Sequence, residues 1–242
     1  MLSAGLSILL AALALLVNHP WLTALDTSAE VWLAAHRPAG LRTAAEWVFG
    51  AIGQPLVFAT AVLTCGVVFA RRTRSVIPGA LLVAAVGVTV VLEEGLKALV
   101  GRTSLAVAGL QDPVEIRVYG PVLRFLHSFP SGHVAAIAVF IGVVAVVLGT
   151  GRGLVDKMKL WALAGFGVLF VAVLAVFVRA HTVTDVIGGM LLGSAVVAAS
   201  AAVLPRTIPA RRGMLSPYVG HLPAPRTRQL APAIPRAPDA RC

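Results

Sequence analysis

Phe129-Pro130-Ser131-Gly132-His133 opens a run of apolar residues that continues without a charge to Leu148. His181-Thr182-Val183-Thr184-Asp185 opens a second such run, which reaches Leu204. Proline suits the first turn of a helix, and serine and threonine suit its cap, so both segments read as helix starts. Two histidines and an aspartate at the mouths of apolar helices are costly to place. An ionisable group at a membrane edge is by default a functional hypothesis.

The rest of the chain sets these segments in a membrane. Of its 242 residues 58% are hydrophobic and only 12% charged, and the mean hydropathy is +0.91. Ordinary soluble domains carry about 25% charged residues, so the alternative of a soluble all-helical core is set aside. Six apolar segments stand out: Leu2–Val17, Trp47–Ala70, Val76–Val100, Gly132–Leu148, Leu160–Val178 and Asp185–Leu204. Most approach the roughly 20 residues that cross a bilayer. The expected fold is an all-α integral membrane protein, a six-transmembrane-helix bundle. Leu2–Val17 is short enough for a signal-peptide core, but no lysine or arginine precedes it, and it is read as the first span. Between the first two spans, Leu25–Glu46 mixes Asp26, Glu30, His36, Arg37 and Arg42 with apolar residues. That stretch suits short interfacial helices.

Positive charge predicts the orientation. Arg71, Arg72 and Arg74 follow the second span, and Arg152, Lys157 and Lys159 follow the fourth. Residues 205–242 add seven arginines against one aspartate, together with eight of the fifteen prolines. The three regions fall on one side of a six-span bundle, which the excess of cations makes cytoplasmic. The expected domains are therefore a membrane domain, 1–204, and a Pro/Arg-rich, disordered cytoplasmic tail, 205–242. A basic tail beside a bilayer suits anionic headgroups and gives no reason to expect nucleic acid. Both histidine segments then face away from the cytoplasm. Cys65 and Cys242 provide neither a disulfide framework nor metal-ligand spacing. Oligomeric state is not legible.

Three segments converge on the outer face: Lys97 to Arg102, Ser131 to His133, and His181 to Asp185. The N–H groups of a helix start at Ser131 and Gly132, aided by the helix dipole, form an anion site. His181 and Asp185, four apart, share a helical face, and a carboxylate fixes the tautomer of such an imidazole. Lys97 and Arg102 add cations suited to phosphate. The competing readings are structural: a plain helix cap at Ser131, a capping pair at His181 and Asp185, and a lysine that snorkels toward Glu93 or Glu94. Taken together, the set suits phosphoryl transfer through a phosphohistidine, with one histidine attacking phosphorus and the other protonating the leaving oxygen. No acidic cluster for a metal is evident on that face, so a metal-independent, cofactor-free reaction is expected. His19, His36 and His127 fit no metal pattern.

These motifs resemble the type 2 phosphatidic acid phosphatase family of membrane enzymes, over roughly Trp47 to Leu204. That family carries lysine, six residues and Arg-Pro; then Pro-Ser-Gly-His; then Ser-Arg, five residues, histidine, three residues and aspartate. The second motif is intact at Pro130-Ser131-Gly132-His133. The resemblance implies that His181 is the nucleophile, Asp185 its orienting partner and His133 the general acid. It also implies that Lys97, Ser131 and Gly132 bind phosphate. Two motifs depart from the pattern. The Arg-Pro position holds Ser104 and Leu105, with Arg102 two residues earlier. The Ser-Arg position holds Leu174 and Ala175, with Arg179 two residues before His181. Arg102 and Arg179 are expected to bind phosphate from these shifted places, with Arg117 and Arg124 as further candidates.

The leading expectation is hydrolysis of a lipid phosphate monoester or polyprenyl (di)phosphate at the extracytoplasmic face of the cell membrane. The substrate's apolar tail would stay in the bilayer. The alternative is a catalytically weak relative that binds lipid phosphate or a membrane partner, motivated by the displaced arginines. A transporter is a third option, but no polar pathway through the spans is visible. Gly188, Gly189 and Gly193 read as helix-packing residues.

Overall fold

The computed structural model describes residues 1–103 and 127–207. Ser104, Leu105, Arg117, Arg124 and the tail beyond Thr207 lie outside the described residues, so the expectations placed on them are not addressed by the fold. Among the described residues the chain is all-helical, with eight helices: α1 Leu2–Leu16, α2 Pro20–His36, α3 Ala39–Gly53, α4 Pro55–Thr73, α5 Ile77–Val100, α6 Gly132–Gly149, α7 Leu154–Phe177 and α8 Val183–Thr207. Helices α4 to α8 are long and apolar enough to cross a membrane. The pair α1 and α2, bent by 88° at the break between them, would make a sixth crossing if counted as one span.

Large apolar side chains on the outer faces stand in the open. They include Leu56 and Leu63 on α4, Leu92 on α5, and Leu163, Phe166 and Phe170 on α7. Apolar surface on this scale needs lipid around it. The protein is a multi-pass membrane protein.

Helix α6 is the hub. It packs on α5, α7 and α8, while α1 lies along α8 and α5. Small residues let α6 and α8 approach. A Cβ added at Gly189 would stand 2.5 Å from the Ser131 carbonyl oxygen, and one at Gly193 would stand 2.6 Å from the Ala138 Cβ. Close backbone approach through glycine is how membrane helices gain packing without a hydrophobic driving force. Around this seam Val134, Ala135, Val139 and Val143 are fully buried.

Two spans differ from expectation. The segment Trp47–Ala70 is not one helix, because Gln54 takes φ −65° and ψ 118° and divides α3 from α4. Pro55 explains the break: the residue before a proline is pushed out of the helical region, and the proline then starts a new helix. The seventh helix begins at Leu154, not Leu160, so Asp156, Lys157 and Lys159 lie in its first turns. Lysine is a good helix former, and an aspartate in the first turn suits the dipole, so these charges lengthen the helix that hydropathy alone would shorten. The stretch expected to form short interfacial helices, Leu25–Glu46, falls in α2 and the first half of α3, and its acids Asp26 and Glu30 are buried.

Gly189→Val should overpack the α6–α8 seam and cost about 1–3 kcal/mol. The melting temperature in detergent should fall accordingly. Gly87→Val, where an added Cβ meets nothing within 4 Å, should leave it unchanged.

Candidate active site

The site forms where the starts of α6 and α8 meet. Ser131 caps α6 in an extended conformation, and its backbone N–H donates to the Asp185 carbonyl at 2.9 Å. At α8 the cap is Thr182. The Thr182 N–H donates to Asp185 Oδ2 at 3.1 Å, and the Asp185 N–H donates to Thr182 Oγ1 at 3.4 Å. This reciprocal pair is a capping box, which satisfies two otherwise free N–H groups. The structural reading of Asp185 as a cap and the functional reading as a partner for His181 therefore hold for the same carboxylate.

His181 reaches this point by a tight turn. Arg179 adopts φ 61°, and the N–H groups of Ala180 and His181 both donate to the Ala175 carbonyl, at 3.0 and 3.3 Å. His181 Nδ1 is buried and has no hydrogen-bond partner among the described residues. Asp185 Oδ2 stands 3.8 Å from it, beyond a hydrogen bond but close enough to favour a proton on that nitrogen. Such contacts commonly tighten only when substrate binds.

His133, in the first turn of α6, faces His181 with ring centroids 6.3 Å apart. Helix α3 holds it from behind. Phe49 lies 5.0 Å away, centroid to centroid, and a Cβ on Gly53 would stand 2.5 Å from His133 Nε2. The end of α3, expected inside a spanning helix, thus forms a wall of the site.

Lys97, near the end of α5, is half-enclosed and pairs with Glu93, with Glu94 Oε1 at 3.4 Å. A Cβ on Gly132 would collide with the Glu93 carboxylate, so this acid lies against the first residue of α6. Ser131 Oγ is fully buried and has no hydrogen-bond partner among the described residues.

The two displaced arginines are each held by an acid of α2. Arg102 follows Gly101, the left-handed residue that ends α5 at φ 61°. One terminal nitrogen donates to Asp185 Oδ1 at 2.9 Å and to the hydroxyls of Thr182 and Thr184 at 3.1 and 2.5 Å. The other donates to Asp26 Oδ2 at 2.6 Å. Asp26 also accepts from the Thr184 N–H at 3.1 Å and from its hydroxyl at 2.5 Å. Arg179 donates through Nε to Glu30 Oε2 at 2.7 Å. Asp26 is only 2% exposed and Glu30 4%, although the sequence reading set them on an interfacial helix. They are the residues that reading missed. The available signal was two acids four apart in an apolar stretch, which puts both on one face.

All the expected site residues within the described segments therefore come to one end of the bundle. His133 faces His181, His181 faces Asp185, the Ser131 N–H bonds the Asp185 carbonyl, and Glu93 links Lys97 to Gly132. Arg102 and Arg179 stand beside this group, engaged by carboxylates.

A family model described as the PAP2 superfamily matches residues 78–209. A solved structure, the first transmembrane PAP2 type phosphatidylglycerolphosphate phosphatase from Bacillus subtilis, superposes with a TM-score of 0.72 at 19% identity. The match covers 86% of this chain and 98% of that one. No curated protein matches the chain.

Arg102→Ala should leave two buried carboxylates uncompensated and cost about 3–5 kcal/mol. Thermal unfolding in detergent reads this out. Asp26→Asn combined with Arg102→Ala should recover part of the loss, because only Asp185 then remains unpaired.

Proposed function

Since the chain belongs to the PAP2 superfamily, we propose that it hydrolyses a lipid phosphate monoester or a polyprenyl (di)phosphate through a phosphohistidine. The observation that supports this reading most is the pair of imidazoles, 6.3 Å apart between centroids, of which one is backed by a buried carboxylate. The likeness of the fold to the Bacillus subtilis phosphatidylglycerolphosphate phosphatase supports the same class.

In this reading His181 Nε2 attacks phosphorus. An N–P bond forms, the ester P–O bond breaks, and the leaving oxygen takes a proton from His133. Asp185 keeps the proton of His181 on Nδ1, so Nε2 offers its lone pair, and it stabilises the positive charge that grows on the ring. Water then attacks the phosphohistidine. His133 accepts its proton, the N–P bond breaks, and inorganic phosphate leaves. Lys97, Ser131 Oγ and the Gly132 N–H stabilise the charge on the phosphoryl oxygens. Arg102 and Arg179, held by their acids, contribute charge to the same group from beside it. The chemistry assigns no step to a metal or cofactor.

The excess of cations at Arg71 to Arg74, at Arg152 to Lys159 and in the tail supports a cytoplasmic location for those regions. The site then opens at the extracytoplasmic leaflet, where a lipid presents its headgroup while its tail stays in the bilayer.

A second reading is favoured by one specific observation: both displaced arginines are already ion-paired to acids of α2. In that reading the protein binds lipid phosphate with little turnover.

Purified protein in detergent, offered a panel of lipid phosphates and prenyl diphosphates with EDTA present, separates the two. The phosphatase reading expects inorganic phosphate release that survives EDTA. It expects His181→Ala to abolish release and His133→Ala to slow it by about 10²–10⁴-fold. Folded protein that releases no phosphate from any substrate would favour the binding reading.

A further inference from the structure

Every described cation of the site already has an anion supplied by the chain. Arg102 has Asp26 and Asp185, Arg179 has Glu30, and Lys97 has Glu93 and Glu94. The Glu93 pair differs from the others in its location. Its carboxylate lies beside Gly132, where an added Cβ would meet Oε1, Cδ and Oε2 as its three nearest atoms. Gly132 is the first residue of α6, the end whose free N–H groups and dipole attract an anion. Next to it the Ser131 hydroxyl is fully buried and unpartnered among the described residues. Glu93 itself is 8% exposed. Lys97 and the first residue of α6 thus both border the Glu93 carboxylate, and the unpartnered Ser131 hydroxyl belongs to the adjoining residue.

We infer that Glu93 is the pocket's own anion and a specificity-determining residue, which competes with a substrate phosphate for Lys97 and the start of α6. The inference rests on the reading of that cradle as the phosphate site. An incoming phosphate must displace Glu93 from Gly132 or bind beside it. Displacement is feasible, because Glu93 sits one helical turn before Lys97 on the same face and can keep that pairing while its carboxylate swings clear. Binding beside it is resisted by like-charge repulsion, which is strong where water is excluded. Either way the competition grows with the negative charge of the headgroup. The pocket therefore disfavours the most highly charged phosphates and suits those carrying less charge or strongly anchored by an apolar tail.

The competition predicts a gain of affinity on losing a charged residue, which a merely structural role would not produce. Inorganic phosphate is the probe. Its binding to full-length protein in detergent is measured by calorimetry and by the rise in melting temperature that it causes. Glu93→Gln preserves shape and removes the charge, and should bind phosphate at least about tenfold more tightly than the wild type. Glu93→Ala removes the side chain and should do the same, whereas Lys97→Met should lose binding. Phosphate bound no more tightly by either Glu93 variant would overturn the inference and leave Glu93 as a partner that positions Lys97. Lipid phosphate turnover by the same proteins separates the two levels. Tighter phosphate binding in the Glu93 variants with no His181-dependent release would sustain the role of Glu93 and overturn the phosphatase reading alone.

Discussion

The guanidinium of Arg102 is the point on which the mouth of the bundle depends. It is buried, and a buried charge is tolerated only when its partners satisfy both charge and hydrogen bonds. Asp26 from α2 and Asp185 from α8 provide the charge, at 2.6 and 2.9 Å, and the hydroxyls of Thr182 and Thr184 complete the set. One side chain at the end of α5 therefore fixes the start of α8 and the middle of α2 together. Asp185 cannot turn away from this network without leaving Arg102 short of an acceptor. The same carboxylate caps α8 and stands 3.8 Å from His181 Nδ1. The position of the carboxylate that the imidazole faces is thus tied to a fold-level constraint.

The second constraint is steric. Gly189 admits the Ser131 carbonyl and Gly53 admits the His133 ring, each at 2.5 Å from where a Cβ would be. The two helix starts can meet only because these positions lack side chains. The result is a largely buried end of the bundle where helix-terminal N–H groups, two imidazoles and several compensated ion pairs gather. In such surroundings electrostatic interactions are stronger than in water. The balance between paired and unpaired charge then decides what can bind.

Much of this was legible in the sequence. The spans at Val76–Val100, Gly132–Leu148 and Asp185–Leu204 follow from long, predominantly apolar runs, and the structure moves their ends by at most a few residues. The helix start at Ser131 follows from cap and proline chemistry. The break at Gln54 was also available, from Pro55, but the apolar character on both sides masks it: hydropathy has no term for the backbone restriction that a proline imposes. What was out of reach is the pairing of Arg102 with Asp26 and of Arg179 with Glu30. These partners lie 76 and 149 positions apart, and no local pattern encodes such a distance. The sequence shows that the arginines are displaced from their usual places. It does not show that an adjoining helix brings an acid to each of them. The place of Glu93 against Gly132 is legible only once α5 and α6 are packed.

The central claim is that the carboxylate-backed imidazole of His181 is the atom set that takes the phosphoryl group. The most direct measurement is rapid acid-free quenching of the enzyme with a lipid substrate carrying a labelled phosphoryl group, followed by peptide mapping under alkaline conditions that preserve phosphohistidine. The account predicts label on His181, and no label when His181 is replaced by alanine. Label on another residue, or phosphate released at the normal rate from a protein that never becomes labelled, would contradict it.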